Sequence, residues 1–258
     1  MAEESCALRR IYSDGENSLM MEMRAFSPEG AMRFLLHGED LRVRLRDFSY
    51  RVLPDTEDRE YGQAFEVSLD SGGAGVMFNG SLHTVAMAAQ FESEEREGPL
   101  SVEEQQAREG EITGFYFPNA FADPVTINTG PLQAPMDAMR LCMDDLIGTW
   151  GIDADAHKSL TRRVEPVGRQ QWTRRFAQAY PSIALARGAQ ASLHVRLIVN
   201  EAGRVDDCLV QSGVGLEVFN DTACNRLTRF ARFEPALDAQ GEPIKSYWTT
   251  SIIYAMGR

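Results

Sequence analysis

No run of this 258-residue chain approaches the roughly 18 consecutive apolar residues that a membrane-spanning helix needs. A basic segment followed by an apolar one, the pattern of a secretory leader, is also missing from its start. Met1-Ala2 ahead of Glu3-Glu4 fits a start set on a mature protein whose signal or anchor was left off. Basic charge is scarce. Against 38 Asp and Glu stand 26 Lys and Arg, for a net charge of −12. The deficit is local, because residues 172–258 hold ten basic against eight acidic side chains, leaving 16 against 30, or −14, in residues 1–171. A chain so charged is not built to grip nucleic acid, whose binding rests on neutralising phosphates.

Catalytic signatures are lacking as well. There is no H-E-x-x-H, no G-x-S-x-G, no Walker sequence and no Rossmann G-x-G-x-x-G with its distant acid. The four cysteines show no C-x-x-C spacing, so zinc and thioredoxin-like chemistry lack support. His37, His83, His157 and His194 fall in a turn, a strand, a polar connector and the polar face of a strand. The reading therefore nominates no catalytic residue, no metal ligand and no cofactor, and leaves residues 1–151 as the only place for an enzyme.

What is present is a 43 % apolar, 25 % charged composition, that of a globular protein long enough for two domains. From Ser18 to Phe26, Leu19, Met21 and Met23 alternate with Met20, Glu22 and Arg24 at strand period. Ala31 to Leu36 reads as a strand, His37 to Asp40 as a turn, and Leu41 to Arg46 as a second strand whose arginines form a solvated face. Phe65, Val67 and Leu69 mark another strand. The glycine-rich Asp70 to Gly75 is a hairpin rather than a phosphate loop, since neither the lysine nor the following helix is there. Val76 to Met87 offers one or two strands around the turn dipeptide Asn79-Gly80.

Glu92 to Glu111 has the composition of an exposed loop, a short solvated helix or a disordered insert. Ile112 to Phe117 and Val125 to Asn128 follow as strands. Gly130-Pro131 and Ala134-Pro135 then introduce a helix lined on one side by Met136, Met139, Met143, Leu146, Ile147 and Trp150. Asp144-Asp145 on it point about 100° apart and form a solvated flank, not a dyad. Residues 152–171 are polar, with Pro166 and Gly168, and read as a linker.

The last stretch carries the clearest signals. Leu193, Val195, Leu197 and Val199 alternate with His194, Arg196 and Asn200, and a turn follows at Glu201-Ala202-Gly203. A second strand runs from Arg204 to Ser212 and ends in Ser212-Gly213. Phe219, Ala223, Leu227 and Phe230 then recur at helical spacing behind Asn220 as N-cap, and Pro235 ends the helix. After the Gly241-Glu242-Pro243 turn, Tyr247 to Tyr254 is a strand dense in aromatic and β-branched residues. The expected class is α+β, with a mostly β, acidic domain over residues 1–151 closed by a helix, a linker over 152–171, and a small domain over 172–258. In that small domain Cys208 on the second strand and Cys224 on the covering helix are placed to meet, as two buried thiols or as a bridge.

Tyr180-Pro181, Val199-Asn200-Glu201-Ala202-Gly203-Arg204-Val205, Ser212-Gly213 and above all Arg232-Phe233-Glu234-Pro235-Ala236 with Gly241-x-Pro243 together resemble the C-terminal domain of TonB-type energy transducers. Ala191 stands where that family often has a second glycine, and Phe219-Asn220 where a Leu-Asp pair opens its helix. Cys142, with Trp150-Gly151, lies in a helix similar to the segment before such domains in alphaproteobacterial envelope proteins. The resemblance implies disulfides Cys208–Cys224 and Cys6–Cys142 and an oxidising, periplasmic setting. It also implies a non-enzymatic protein whose last strand, Tyr247, Trp248, Thr249, Thr250, Ser251, Ile252 and Ile253, accepts an extended peptide of an outer-membrane receptor or other envelope protein by strand addition, with a link to TonB-dependent transport. The alternative is a structural or assembly module of the envelope whose sheet edge is occupied internally.

Overall fold

Two-residue alternation of apolar side chains turns, in a computed structural model, into antiparallel sheets throughout, and longer apolar stripes into covering helices. The structure describes residues 4–28, 32–39, 41–45, 48–60, 64–68, 72–84, 101–170, 172 and 179–255. The fold is α+β, in two compact units, Met1–Met143 and Asp144–Arg258.

In the first unit, β1 (Cys6–Ser13), β2 (Ser18–Ala25), β3 (Met32–Gly38), β6 (Ala64–Ser68) and β7 (Ala74–Gly80) form a sheet in the order β1-β2-β3-β7-β6. A second sheet has the order β5-β4-β8-β9, from β4 (Ser49–Leu53), β5 (Arg59–Glu60), β8 (Gly114–Phe117) and β9 (Val125–Asn128). Aromatic rings join the two. Phe34 lies 5.7 Å from Phe115, Tyr50 lies 5.0 Å from Phe78, and Phe78 meets Phe117 edge-on at 6.1 Å, all ring centroid distances. Cys6 and Cys142 form a disulfide.

Several local expectations need correcting. Asn79-Gly80 is not a turn: both residues sit in β7, paired to Arg33 and Met32. The glycine is there for close approach, since a Cβ at position 80 would lie 2.9 Å from the Phe34 ring and the Tyr50 hydroxyl. The Leu41 to Arg46 alternation yields no ladder among its described residues, only a bridge from Val43 to Phe121, because backbone partners exist at that point alone. Gly38, expected in a turn, ends β3. The Asp70 to Gly75 hairpin does close β6 onto β7 through Gly72 and Gly73, both at positive φ, although Asp70 and Ser71 lie outside the described residues.

The Glu92 to Glu111 stretch lies outside the described residues up to position 100 and then forms α1 (Val102–Glu111), opened by a capping box between Ser101 and Glu104. It is not merely a solvated helix. Arg108 and Glu109 are buried: Arg108 binds Asp55 at 2.7 Å and the Leu82 carbonyl at 2.9 Å, and Arg140 grips Glu109 with two 2.8 Å hydrogen bonds. Arg140 belongs to α2 (Gln133–Thr149), and the Glu109 hydrogen bonds raise its affinity for its proton.

In the second unit, α4 (Ser182–Ala186) leads into β11 (Ala191–Val199), which with β12 (Val205–Val214) and β16 (Ser246–Tyr254) forms a sheet in the order β12-β11-β16, while β14 (Ala236–Leu237) pairs with β15 (Pro243–Ile244). Over one face lies α5 (Val218–Phe230), whose Phe219, Ala223 and Leu227 share a core with Leu193, Val195, Leu197 and Val199. Cys208 and Cys224 form a disulfide between β12 and α5. Asn220 is not the N-cap, which is Glu217. Turns from Phe219 to Leu216 and from Asn220 to Glu217 start the helix early, with no side-chain cap. Ser212-Gly213 does not close the second strand either, for β12 runs on to Val214.

Residues 152–171, whose composition suggests a linker, carry structure of their own. Asp153 caps α3 (Ala154–Lys158), and Lys158 reaches Asp144 at 2.5 Å. Downstream, β10 (Glu165–Pro166) pairs with β13 (Phe233–Glu234), and the Thr161 N–H donates to Leu237. Polar composition here reflects caps and backbone pairing rather than a free tether.

Tyr254, at the end of β16, is buried between Phe219, 4.7 Å away, and Tyr180, 5.8 Å away. Its hydroxyl meets no hydrogen-bond partner among the described residues. Burial pushes its pKa up from 10.0 to about 12, against a small opposing pull from Arg226. A raised folded-state value means that stability is independent of this group below pH 10 and falls as pH rises toward about 12, where the unfolded chain ionises more readily than the native one. Alkaline titration at 295 nm is expected to show a late step from Tyr254. Tyr254→Phe is expected to abolish that late step and leave stability at pH 7 unchanged or up to about 1 kcal/mol higher, since a buried hydroxyl without a partner is lost.

Candidate functional site

A three-stranded sheet has two outer strands, and here they differ. β12 is irregular: the register with β11 shifts between His194 and Val195 and between Ile198 and Val199, leaving Gln211 and Asp206 as extra residues. Such bulges bend a strand and break the row of backbone groups that a neighbour would need. β12 also carries Asp206-Asp207 and is tied to α5 through Cys208. By contrast β16 pairs residue for residue with β11, from Ala191 opposite Tyr254 to Val199 opposite Ser246, without a shift. Among the described residues no strand pairs its other side.

Strand alternation divides the seven candidate residues between two faces. Trp248, Thr250 and Ile252 lie opposite Leu197, Val195 and Leu193, on the side of α5. Trp248 is held there by Phe233 at 5.2 Å and Trp172 at 6.0 Å. Tyr247, Thr249, Ser251 and Ile253 point to the back face, where Ser251 Oγ lies 3.5 Å from His194 Nδ1. That face is unevenly covered. Tyr247 is buried, its ring stacked on His157 at 4.9 Å and met edge-on by Trp150 at 5.3 Å, whereas Ile253 at the far end is 58 % exposed. Arg196, an expected polar-face residue, is buried because its guanidinium lies 4.5 Å over the Trp150 ring and binds Asp207 at 3.1 Å.

Sequence reasoning placed Trp150 in a helix of the first domain and His157 in a connector. Neither the aromatic cover of Tyr247 nor the buried Arg108 and Glu109 was visible to it, since periodicity reports one element at a time. The hydrophobic stripe ending in Trp150-Gly151 was the one available signal. A shallow depression of about 370 Å³ on α5, lined by Asn225, Arg226, Arg229 and Phe230, brings no carboxylate, histidine or thiol together. Among the described residues no group of three or more His, Cys, Asp or Glu is set to hold a metal ion, and no helix is long and apolar enough to cross a membrane.

No curated protein matches the chain. Residues 177–256 match the family model described as Gram-negative bacterial TonB protein C-terminal, a span that takes in β11, β12, α5 and the whole of β16. Over those residues the chain is similar to the C-terminal domain of Gram-negative bacterial TonB proteins.

Proposed function

We propose that this is a non-enzymatic protein of the periplasm that binds an extended peptide of an outer-membrane receptor, or of another envelope protein, by adding it as a strand beside β16. The observation that carries this reading is the regular, unshifted pairing of β16, on one side only among the described residues, within a domain similar to that of TonB proteins. Strand addition draws affinity from backbone N–H and C=O groups along such an edge and selectivity from alternate side chains. Two disulfides suit an oxidising compartment, and the family supports a link to TonB-dependent transport.

A second reading, an edge occupied by the chain itself, draws on Trp172 and Tyr180, whose rings meet Trp248 and Tyr254 on the same strand. Titration of the full chain with synthetic N-terminal segments of outer-membrane receptors, followed by amide chemical shifts, separates the two. Shifts concentrated on Tyr247 to Ile253 are expected. No shifts at millimolar peptide, or shifts confined to another surface, favour the internally occupied edge.

A further inference from the structure

The sequence of β16 specifies its own register poorly. In Ser246-Tyr247-Trp248-Thr249-Thr250-Ser251-Ile252-Ile253-Tyr254 like residues stand side by side: a one-residue slip exchanges Tyr247 for Trp248, Thr249 for Thr250 and Ile252 for Ile253. Register is strongly set where a slip would move apolar side chains into water. Between Tyr247 and Ile253 a slip leaves each face with a similar mix of aromatic, hydroxyl and β-branched side chains, while it reverses which amides point away from β11. On the α5 side Tyr254, buried between Phe219 and Tyr180, holds the far end of the strand, while near its start Phe233 and Trp172 present an aromatic surface to Trp248.

The back face distinguishes the registers at the start of the strand. Tyr247 fits between the His157 ring, nearly parallel to it at 30°, and the Trp150 ring, at 75°. The buried Ser246 Oγ lies 3.2 Å from His157 Nδ1. Trp150 is itself fixed by Arg196 from β11, which ties the clamp to the strand against which register is measured. A strand slipped by one residue would bring either Trp248 or Ser246 to the place of Tyr247 and would carry Ser246 Oγ away from His157.

We propose that Trp150 and His157 are positioning residues of the β16 edge, fixing its register on β11, so that the functional unit extends upstream of the family match at residue 177 to include them. The proposal deepens the strand-addition reading and, for its effect on binding, rests on it.

Hydrogen exchange of β16 amides in the full chain, without peptide, is the test. The native protein is expected to show alternating slow and fast amides along Tyr247 to Ile253. In the Trp150→Ala/His157→Ala double variant that alternation is expected to vanish or invert while β11 and β12 stay protected, and receptor segments that bind the native protein are expected to bind about ten-fold more weakly, the equivalent of one backbone hydrogen bond. His157→Phe, which keeps a ring on Tyr247, is expected to retain the alternation. If the double variant unfolds the whole unit, the single His157→Ala variant is read in the same way. An unchanged alternation in that comparison overturns the proposal. Because exchange is read without ligand, lost alternation in a protein whose native form binds no peptide would sink the binding reading and leave the register role standing.

Discussion

Thr249→Pro and Thr250→Pro are expected to have opposite consequences, although the two residues are chemically identical neighbours. Successive amides in a strand point to opposite sides, so one of these two N–H groups bonds to β11 and the other faces outward from the edge. Proline removes a single donor. At the inward position it leaves a buried β11 carbonyl without its partner and should cost about 1–3 kcal/mol, enough to fray β16. At the outward position the fold should lose no more than about 0.5 kcal/mol, while peptide binding falls at least about ten-fold because the added strand loses a donor and meets the proline ring. Thermal denaturation and amide-shift titration of the two variants give the result. Equal behaviour, with both variants folded and binding peptide like the native chain, would remove β16 from consideration as the binding edge.

Arg108→Ala is expected to be the most damaging single change in the first unit. Arg108 is only 5 % exposed and holds Asp55 and the Leu82 carbonyl. Arg59 shares the same Asp55 carboxylate at 3.0 Å and also donates to the Ser81 carbonyl, so the strands around it are stitched by a small charged network. Removing one member of a buried ion pair leaves the remaining groups desolvated and under-bonded, at a cost of about 3 kcal/mol. For a protein of this size that corresponds to a fall in melting temperature of roughly 6–12 °C. Urea denaturation of the full chain checks it, with Arg42→Ala, at an exposed position, expected to stay within about 0.5 kcal/mol of the native protein. A loss below about 1 kcal/mol for Arg108→Ala would mean that water reaches Asp55.

Arg108 also shows where sequence reasoning runs out. The segment around it is dense in glutamate, and composition alone offers an exposed loop, a solvated helix or a disordered insert; the partners that let a guanidinium be buried come from the residues after β4 and after β7. Such pairs are set by the fold and leave no periodicity in the chain. Strands with clean alternation, β11 above all, were legible because Leu193, Val195, Leu197 and Val199 must share one face whatever lies opposite. The bulges at Asp206 and Gln211 were not legible, since nothing in their local sequence marks an extra residue, yet they make β12 the less suitable edge. The candidate strand itself was located correctly by its β-branched and aromatic content. What escaped notice was the aromatic cover from Trp150 and His157, residues that lie far from it in sequence.

The bridge between Cys6 and Cys142 spans 136 positions of the sequence, nearly the whole of the first unit. Considered as a mechanical element, it is a shunt. Tension arriving at the backbone of Cys6 crosses the sulfur atoms to Cys142 and never enters the strands between them. Stretched by an optical trap, the oxidised protein should show no unravelling length from the two sheets of that unit, and chemical reduction should release that length as a new extension step. A load drawn through this molecule would thus be carried by α2 and whatever follows it, while the aromatic interior of Phe34, Tyr50 and Phe78 stays slack.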